Sequence, residues 1–231
     1  MTALLLAPAA GLALGLALGG RLANFAALRL RYGWAVPPAL ALQLVLVFAP
    51  PVPPEQGIDP LRLWLPATYV PLAACVLANR RLPGMPLILV GLAANALVIV
   101  ANGGLMPTNT AALAQAGMTQ SLRLSEVHPG IRLPRSKDVV LPPQQTAFWW
   151  LSDVLVSPPL PKRKVLSAGD LFVGAGMVVL VVQATRGRIG ARGGPAASGA
   201  AAAEGAAAAS HRPAVRAAIE TAYVDRPTGG R

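Results

Sequence analysis

Five apolar runs constrain this chain more than any other feature. They occupy 3–20, 34–49, 63–78, 86–101 and 168–183. The first four contain no charged residue, and the fifth contains only Asp170. Each is about 16 to 18 residues long, the short end of what an α-helix needs to cross roughly 30 Å of hydrocarbon. Composition agrees, with 54% of residues hydrophobic and 13% charged, where a soluble domain carries about 25% charged. The expected fold class is an all-α integral membrane protein of five transmembrane helices.

Loop charge sets the expected threading. The first connection carries Arg21, Arg29 and Arg31, the third Arg80 and Arg81, and the segment after the fifth run Arg186, Arg188 and Arg192. The second connection carries Glu55, Asp59 and a lone Arg62. Short loops rich in arginine stay in the cytoplasm. The alternation therefore predicts an odd number of spans, N-terminus out and C-terminus in. The long connection 104–166 becomes extracytoplasmic. It holds Arg123, Arg132, Arg135 and Lys137 and then Lys162-Arg163-Lys164, but long loops translocate largely regardless of charge.

Two regions follow: a membrane domain, 1–184, and a cytoplasmic tail, 185–231. The tail centres on "AASGAAAAEGAAAAS". It has no apolar period and few large side chains, so disorder is expected. The net charge is +11, but no groove-reading motif accompanies the arginines, and nucleic acid is not an expected partner. The bilayer is. Cys75 is the single cysteine and His128 and His211 the only histidines. The sequence thus offers no zinc cluster, and neither metal nor cofactor is expected.

Within the runs, Gly11, Gly15 and Gly19 recur every four residues. They form a smooth strip on one helix face where another backbone can pack, including that of another membrane protein. A signal peptide is the weaker reading of this run, because no basic residue precedes it. Pro71 predicts a kink in the third run. Gln43 and Asn95 are candidate intramembrane polar residues, expected to hydrogen-bond between helices.

The remaining polar features gather, on this threading, at the outer face. Asn102-Gly103-Gly104 ends the fourth run in "ANGGLMP". It matches a helix stop, with glycine taking a left-handed turn. Ser152-Asp153 follows Phe148-Trp149-Trp150 in "TAFWWLSDVLVSPPLP", and Gln144 to Val156 reads as a segment lying on or dipping into the outer interface. Asp153 faces water, or Lys162-Arg163-Lys164, or the open end of the helix bundle. Ser167-Ala168-Gly169-Asp170 opens the fifth run and matches a capping box. Asn102, Gly103, Gly104, Asp153, Ser167 and Asp170 are the candidate outer-face cluster. No catalytic residue is assigned.

These same motifs carry a resemblance. "NGGLMP" at 102–107, Leu151-Ser152-Asp153 and Ser167-Ala168-Gly169-Asp170 resemble the bacterial membrane-protein family catalogued as domain of unknown function 5317. That family has an "NGG-x-MP" element, a later "L-G-D" and a closing "S-x-G-D". The resemblance spans about 1–183 and includes Gln43. Ser152 departs from it, standing where the family has glycine, and 107–148 matches poorly. The resemblance implies a multi-pass protein of a bacterial cell membrane and supplies no activity. The leading expectation is a non-enzymatic envelope accessory, assembly or binding component. The alternatives are a small-solute transporter or channel subunit using Asn95, Asn102 and Asp170, and a membrane hydrolase or transferase using Asp153, Asp170 and His128.

Overall fold

A computed structural model describes residues 2–53, 56–118, 130, 132–159 and 163–189, with side chains from Leu6 onward. By its internal contacts the chain divides into Met1–Gly190 and Ala191–Arg231. The second unit, and with it the expected tail beyond residue 189, lies outside the described residues, as do Glu55, Arg123, His128 and Lys162.

Each apolar run falls in a helix. These are α1 (Thr2–Ala17), α3 (Val36–Phe48), α4 (Leu61–Ala78), α5 (Met85–Ala101) and α7 (Ala168–Thr185). Two short helices, α2 (Leu22–Ala26) and α6 (Thr110–Gln115), lie between them. α4 and α7, 18 residues each, are long and apolar enough to cross a membrane, whereas α3, α5 and the apolar part of α1 are shorter. α7 packs against α1 on one side and α5 on the other, α5 meets α4, and α4 meets α3.

Glycine makes the α5–α7 seam close. A methyl group on Gly169 would collide with the Asn95 side chain and the Gly91 carbonyl, and one on Gly91 with the Gly169 carbonyl. The two helices therefore approach backbone to backbone, as small residues allow. Of the N-terminal strip, Gly11 and Gly15 face Val178 and Thr185 of α7. Gly19 leaves the strip: it turns at φ +81° with nothing within 4 Å of its missing side chain.

The two ends of this arrangement differ in charge. Arg21, Arg31, Arg80 and Arg188 sit at the end where α1, α4 and α7 finish. There the Arg21 amide donates to the Thr185 carbonyl, and the Arg31 amide to Asn79 Oδ1. Every carboxylate side chain among the described residues, Asp59, Asp138, Asp153 and Asp170, lies at the other end.

That other end is closed by a folded cap, and here the all-α expectation needs correcting. The cap contains β1 (Met106–Thr108) parallel to β2 (Asp138–Val140), and β3 (Leu155–Val156) antiparallel to β4 (Val165–Leu166). Strands of two or three residues have too few positions to display an alternating pattern. Parallel strands require a crossover, and α6 lies in it, its N-terminus capped by Asn109 accepting from the Ala112 amide at 2.8 Å. Leu105, Met106 and Val139 pack with Val47, Leu61, Leu65, Val98 and Ile99 of the helix ends. Leu113, Leu133 and Val140 form a smaller core within the cap.

Arg132 locks the cap to the helices. Its Nε–H donates to Asp59 Oδ2 at 2.8 Å. Its two terminal nitrogens donate to the carbonyls of Val47, Ala49, Pro50 and Ser136. All five donors of the guanidinium are thus used. Asp59 in turn accepts from the Leu61 amide at 3.0 Å, holding the start of α4.

Candidate functional site

The sequence element Asn102 to Thr108 does two jobs in succession. First it ends α5. Gly103 and Gly104 take φ +75° and +90°. The Gly104 amide returns to the Ile99 carbonyl at 2.8 Å and the Gly103 amide to Val100 at 3.3 Å, the bond pair of a Schellman turn. A side chain on Gly104 would strike the Arg62 backbone, so α4 and the end of α5 meet there without room for one. Arg62 closes the contact by donating to the Gly103 carbonyl at 3.2 Å.

Asn102 contributes to the turn rather than to the acids. Its Nδ2 donates to the Val98 carbonyl at 2.7 Å and the Ala147 carbonyl at 2.9 Å, and its Oδ1 accepts from the Ala147 amide at 2.9 Å. The amide side chain thus mimics a strand partner for Ala147. It fixes the segment that leads through Phe148, Trp149 and Trp150 into Ser152 and Asp153.

The second job begins at Met106. Pro107 follows the helix stop directly and is the middle residue of β1. On one edge, the Met106 amide donates to the Lys137 carbonyl at 3.1 Å. On the other, the Pro107 carbonyl accepts from the Asp153 amide at 3.0 Å, and Thr108 Oγ1 donates to the Asp153 carbonyl at 2.7 Å. β1 therefore positions Lys137 and Asp153 by their backbones, one on either side.

The side chains meet accordingly. Lys137 Nζ lies 2.9 Å from Asp153 Oδ2 and 3.5 Å from Asp138 Oδ1. Asp153 is 3% exposed and Lys137 29%. Tyr69 of α4 and Asp170 of α7 are within electrostatic reach of this pair. Burial pushes the Asp153 carboxyl well above the ordinary carboxylate range, and the nearby charges of Asp138 and Asp170 add to the push against the opposing effect of Lys137. For Lys137, burial disfavours the ammonium, but the surrounding carboxylates outweigh it and hold the group charged well above its ordinary pKa.

This cluster is not saturated. Asp153 Oδ1 and Asp138 Oδ1 are buried and accept no hydrogen bond. The Arg132–Asp59 pair, in the same cap, uses every guanidinium donor. A buried carboxylate oxygen without a donor is costly, so the two ion pairs differ in kind.

The Ser167–Asp170 capping box is present. Ser167 Oγ accepts from the Asp170 amide at 3.0 Å, and Asp170 Oδ2 from the Ser167 amide at 3.4 Å. Asn95 extends it across the α5–α7 seam, donating to Asp170 Oδ1 at 2.9 Å while its Oδ1 accepts from the Ser167 hydroxyl at 2.8 Å. Gln43 sits elsewhere, donating to Thr68 Oγ1 at 2.6 Å between α3 and α4.

The structure thus brings Asp153 and Asp170 into one electrostatic neighbourhood. It puts Asn102, Gly103 and Gly104 in the turn beside it and Gln43 apart. Of the basic triplet offered for Asp153, Arg163 donates instead to the Gln115 carbonyl at 3.1 Å, and Lys162 lies outside the described residues. Sequence reasoning missed Lys137, Asp138 and Tyr69. "SKDVVL" did carry a signal, a charged pair beside β-branched residues, but nothing local joins it to a position sixteen residues on. Among the described residues, no group of three or more histidine, cysteine or acidic side chains is placed to hold a metal ion.

No curated protein and no solved structure matches the chain. A family model does match, over residues 27–182, a stretch that takes in α3, α4, α5, the cap and nearly all of α7. The chain therefore belongs to DUF5317, a family of unknown function.

Proposed function

We propose that this is a five-span membrane protein, N-terminus out, of a bacterial cell membrane. Its cap forms the outer face and carries a non-enzymatic binding site for an envelope ligand or partner. The spans are supported by where the large apolar side chains lie. Val45, Leu63, Val70, Leu97, Val100 and Leu171 are exposed on helices that are apolar all round, a distribution suited to lipid and costly in water. The threading is supported by Arg21, Arg31, Arg80 and Arg188, which lie at the end away from the cap.

The observation that carries the binding reading is a pair of buried oxygens that accept no hydrogen bond, Asp153 Oδ1 and Asp138 Oδ1, the latter in only a 3.5 Å ion-pair contact with Lys137. A purely structural ion pair would be expected to resemble Arg132–Asp59. A solute path through the helices is less well supported, because Gln43 and Asn95 are already bonded to Thr68, Ser167 and Asp170.

The test is photo-crosslinking in native membranes from a reactive side chain placed at exposed Arg135, with and without Asp153→Asn. The expected result is a discrete adduct that Asp153→Asn abolishes while the protein stays folded and abundant. An adduct unchanged by Asp153→Asn, or none from a folded protein, would sink the binding reading.

A further inference from the structure

The turn at Phe148 to Leu151 is built against the usual preference of side chains. Phe148 takes φ +55°, a left-handed conformation that bulky residues rarely adopt. The turn is held nonetheless: the Asn102 side chain pairs with Ala147 just before it, and the Leu151 and Ser152 amides close onto Phe148 and Trp149. The outcome is that Trp149 and Trp150 are 50% and 58% exposed, although each offers a large apolar surface to bury.

These rings do not stand in isolation. The turn packs on α5 and α7, whose adjacent ends expose Val100, Leu171 and Phe172. Leu63 and Trp64, exposed in the first turn of α4, sit at the same end. The exposed apolar side chains of the helix ends are therefore of the same kind as those of the tryptophan turn, which lies at the same end of the helices. Indole suits an apolar–polar boundary, with an apolar body and an N–H that seeks a polar partner.

We infer that the Phe148–Leu151 turn is a lipid-interface anchor, with Trp149 and Trp150 seated at the headgroup level of the outer leaflet. This rests on the membrane-spanning reading above. It adds that the residues immediately before Asp153 are fixed to the bilayer. The depth of the Lys137–Asp153 cluster is then set by lipid contact as well as by the helix ends.

The four tryptophans of the chain, at 34, 64, 149 and 150, permit a test that separates the two claims. One variant carries Trp34→Phe and Trp64→Phe and reports on the turn. The other carries Trp149→Phe and Trp150→Phe and reports on the helix ends. Both are reconstituted in phosphatidylcholine vesicles whose acyl chains are brominated either near the headgroup or near the chain terminus. The expected result is about a twofold loss of Trp149/Trp150 fluorescence with the shallow bromines and clearly less with the deep ones. Unquenched Trp149/Trp150 beside quenched Trp34/Trp64 would overturn the anchor and leave the membrane reading intact. If neither pair is quenched in vesicle-associated protein, the membrane reading itself fails. Monodispersity of each variant in detergent establishes that it is folded before reconstitution.

Discussion

Asp153 lies two residues beyond an exposed aromatic turn, yet its carboxylate is almost wholly buried. That contrast makes it the residue to titrate. A carboxyl whose folded pKa lies above its unfolded value binds protons more tightly when folded. Its contribution to stability is fully present below the ordinary aspartate pKa and is lost as pH rises through the folded value. Thermal unfolding in detergent from pH 4 upward should show the wild-type midpoint falling, relative to Asp153→Asn, as pH increases. Parallel curves for the two proteins would show that Asp153 is not perturbed. Arg132 invites the opposite test, of structure. Replacing it with leucine leaves Asp59 buried and unpaired and should cost about 3–5 kcal/mol. Adding Asp59→Asn should recover part of that loss, as partners in one network are not additive. Equal losses in single and double variants, read from denaturant unfolding, would contradict the pairing. Neither Arg132–Asp59 nor Lys137–Asp153 was legible beforehand. The first pair is separated by 73 residues, and charged residues in a long polar connection give no hint of which will be buried.

At the scale of elements, much more could be read in advance. An apolar run of helical length is a local property, so each of the five runs lies in a helix close to its expected bounds. The Ser167–Asp170 cap and the Asn102-Gly103-Gly104 stop were legible for the same reason, since each is complete within about six residues. The cap strands were not. Met106-Pro107-Thr108 becomes a strand because Lys137, Asp138 and Asp153 arrive beside it, and that depends on the far side of the α6 crossover. The α5–α7 seam shows how local and long-range effects combine. Ser167→Ala removes both the cap acceptor and the Asn95 partner. It should cost about 1 kcal/mol or more, whereas Asp170→Asn, which keeps an acceptor, should cost less. Gly169→Ala should exceed both, since its methyl meets the Gly91 carbonyl as well as the Asn95 side chain. Thermal midpoints in one detergent would rank the three; Gly169→Ala as the mildest would show that the seam is looser than described.

For the molecule as a whole, the separation of charge between its ends gives the prediction on threading. A reporter active only in the cytoplasm should work when fused after Arg192 and stay silent when inserted in 119–129. A well-expressed silent fusion at the first site, with activity at the second, would invert the arrangement. The packing order has a consequence for how the chain is made. Among the described helices α1 is made before the others, yet its main packing partner is α7, the furthest from it in sequence, and α7 is also the main partner of α5. During synthesis α1 must wait through all the intervening chain with Gly11 and Gly15 uncovered. Until α7 arrives, α5 likewise lacks the face that Gly91 will meet. A nascent chain stopped short of residue 168 has α1, α3, α4 and α5 but not the wedge that joins α1 to α5, so the packing of the N-terminal helix is a late event.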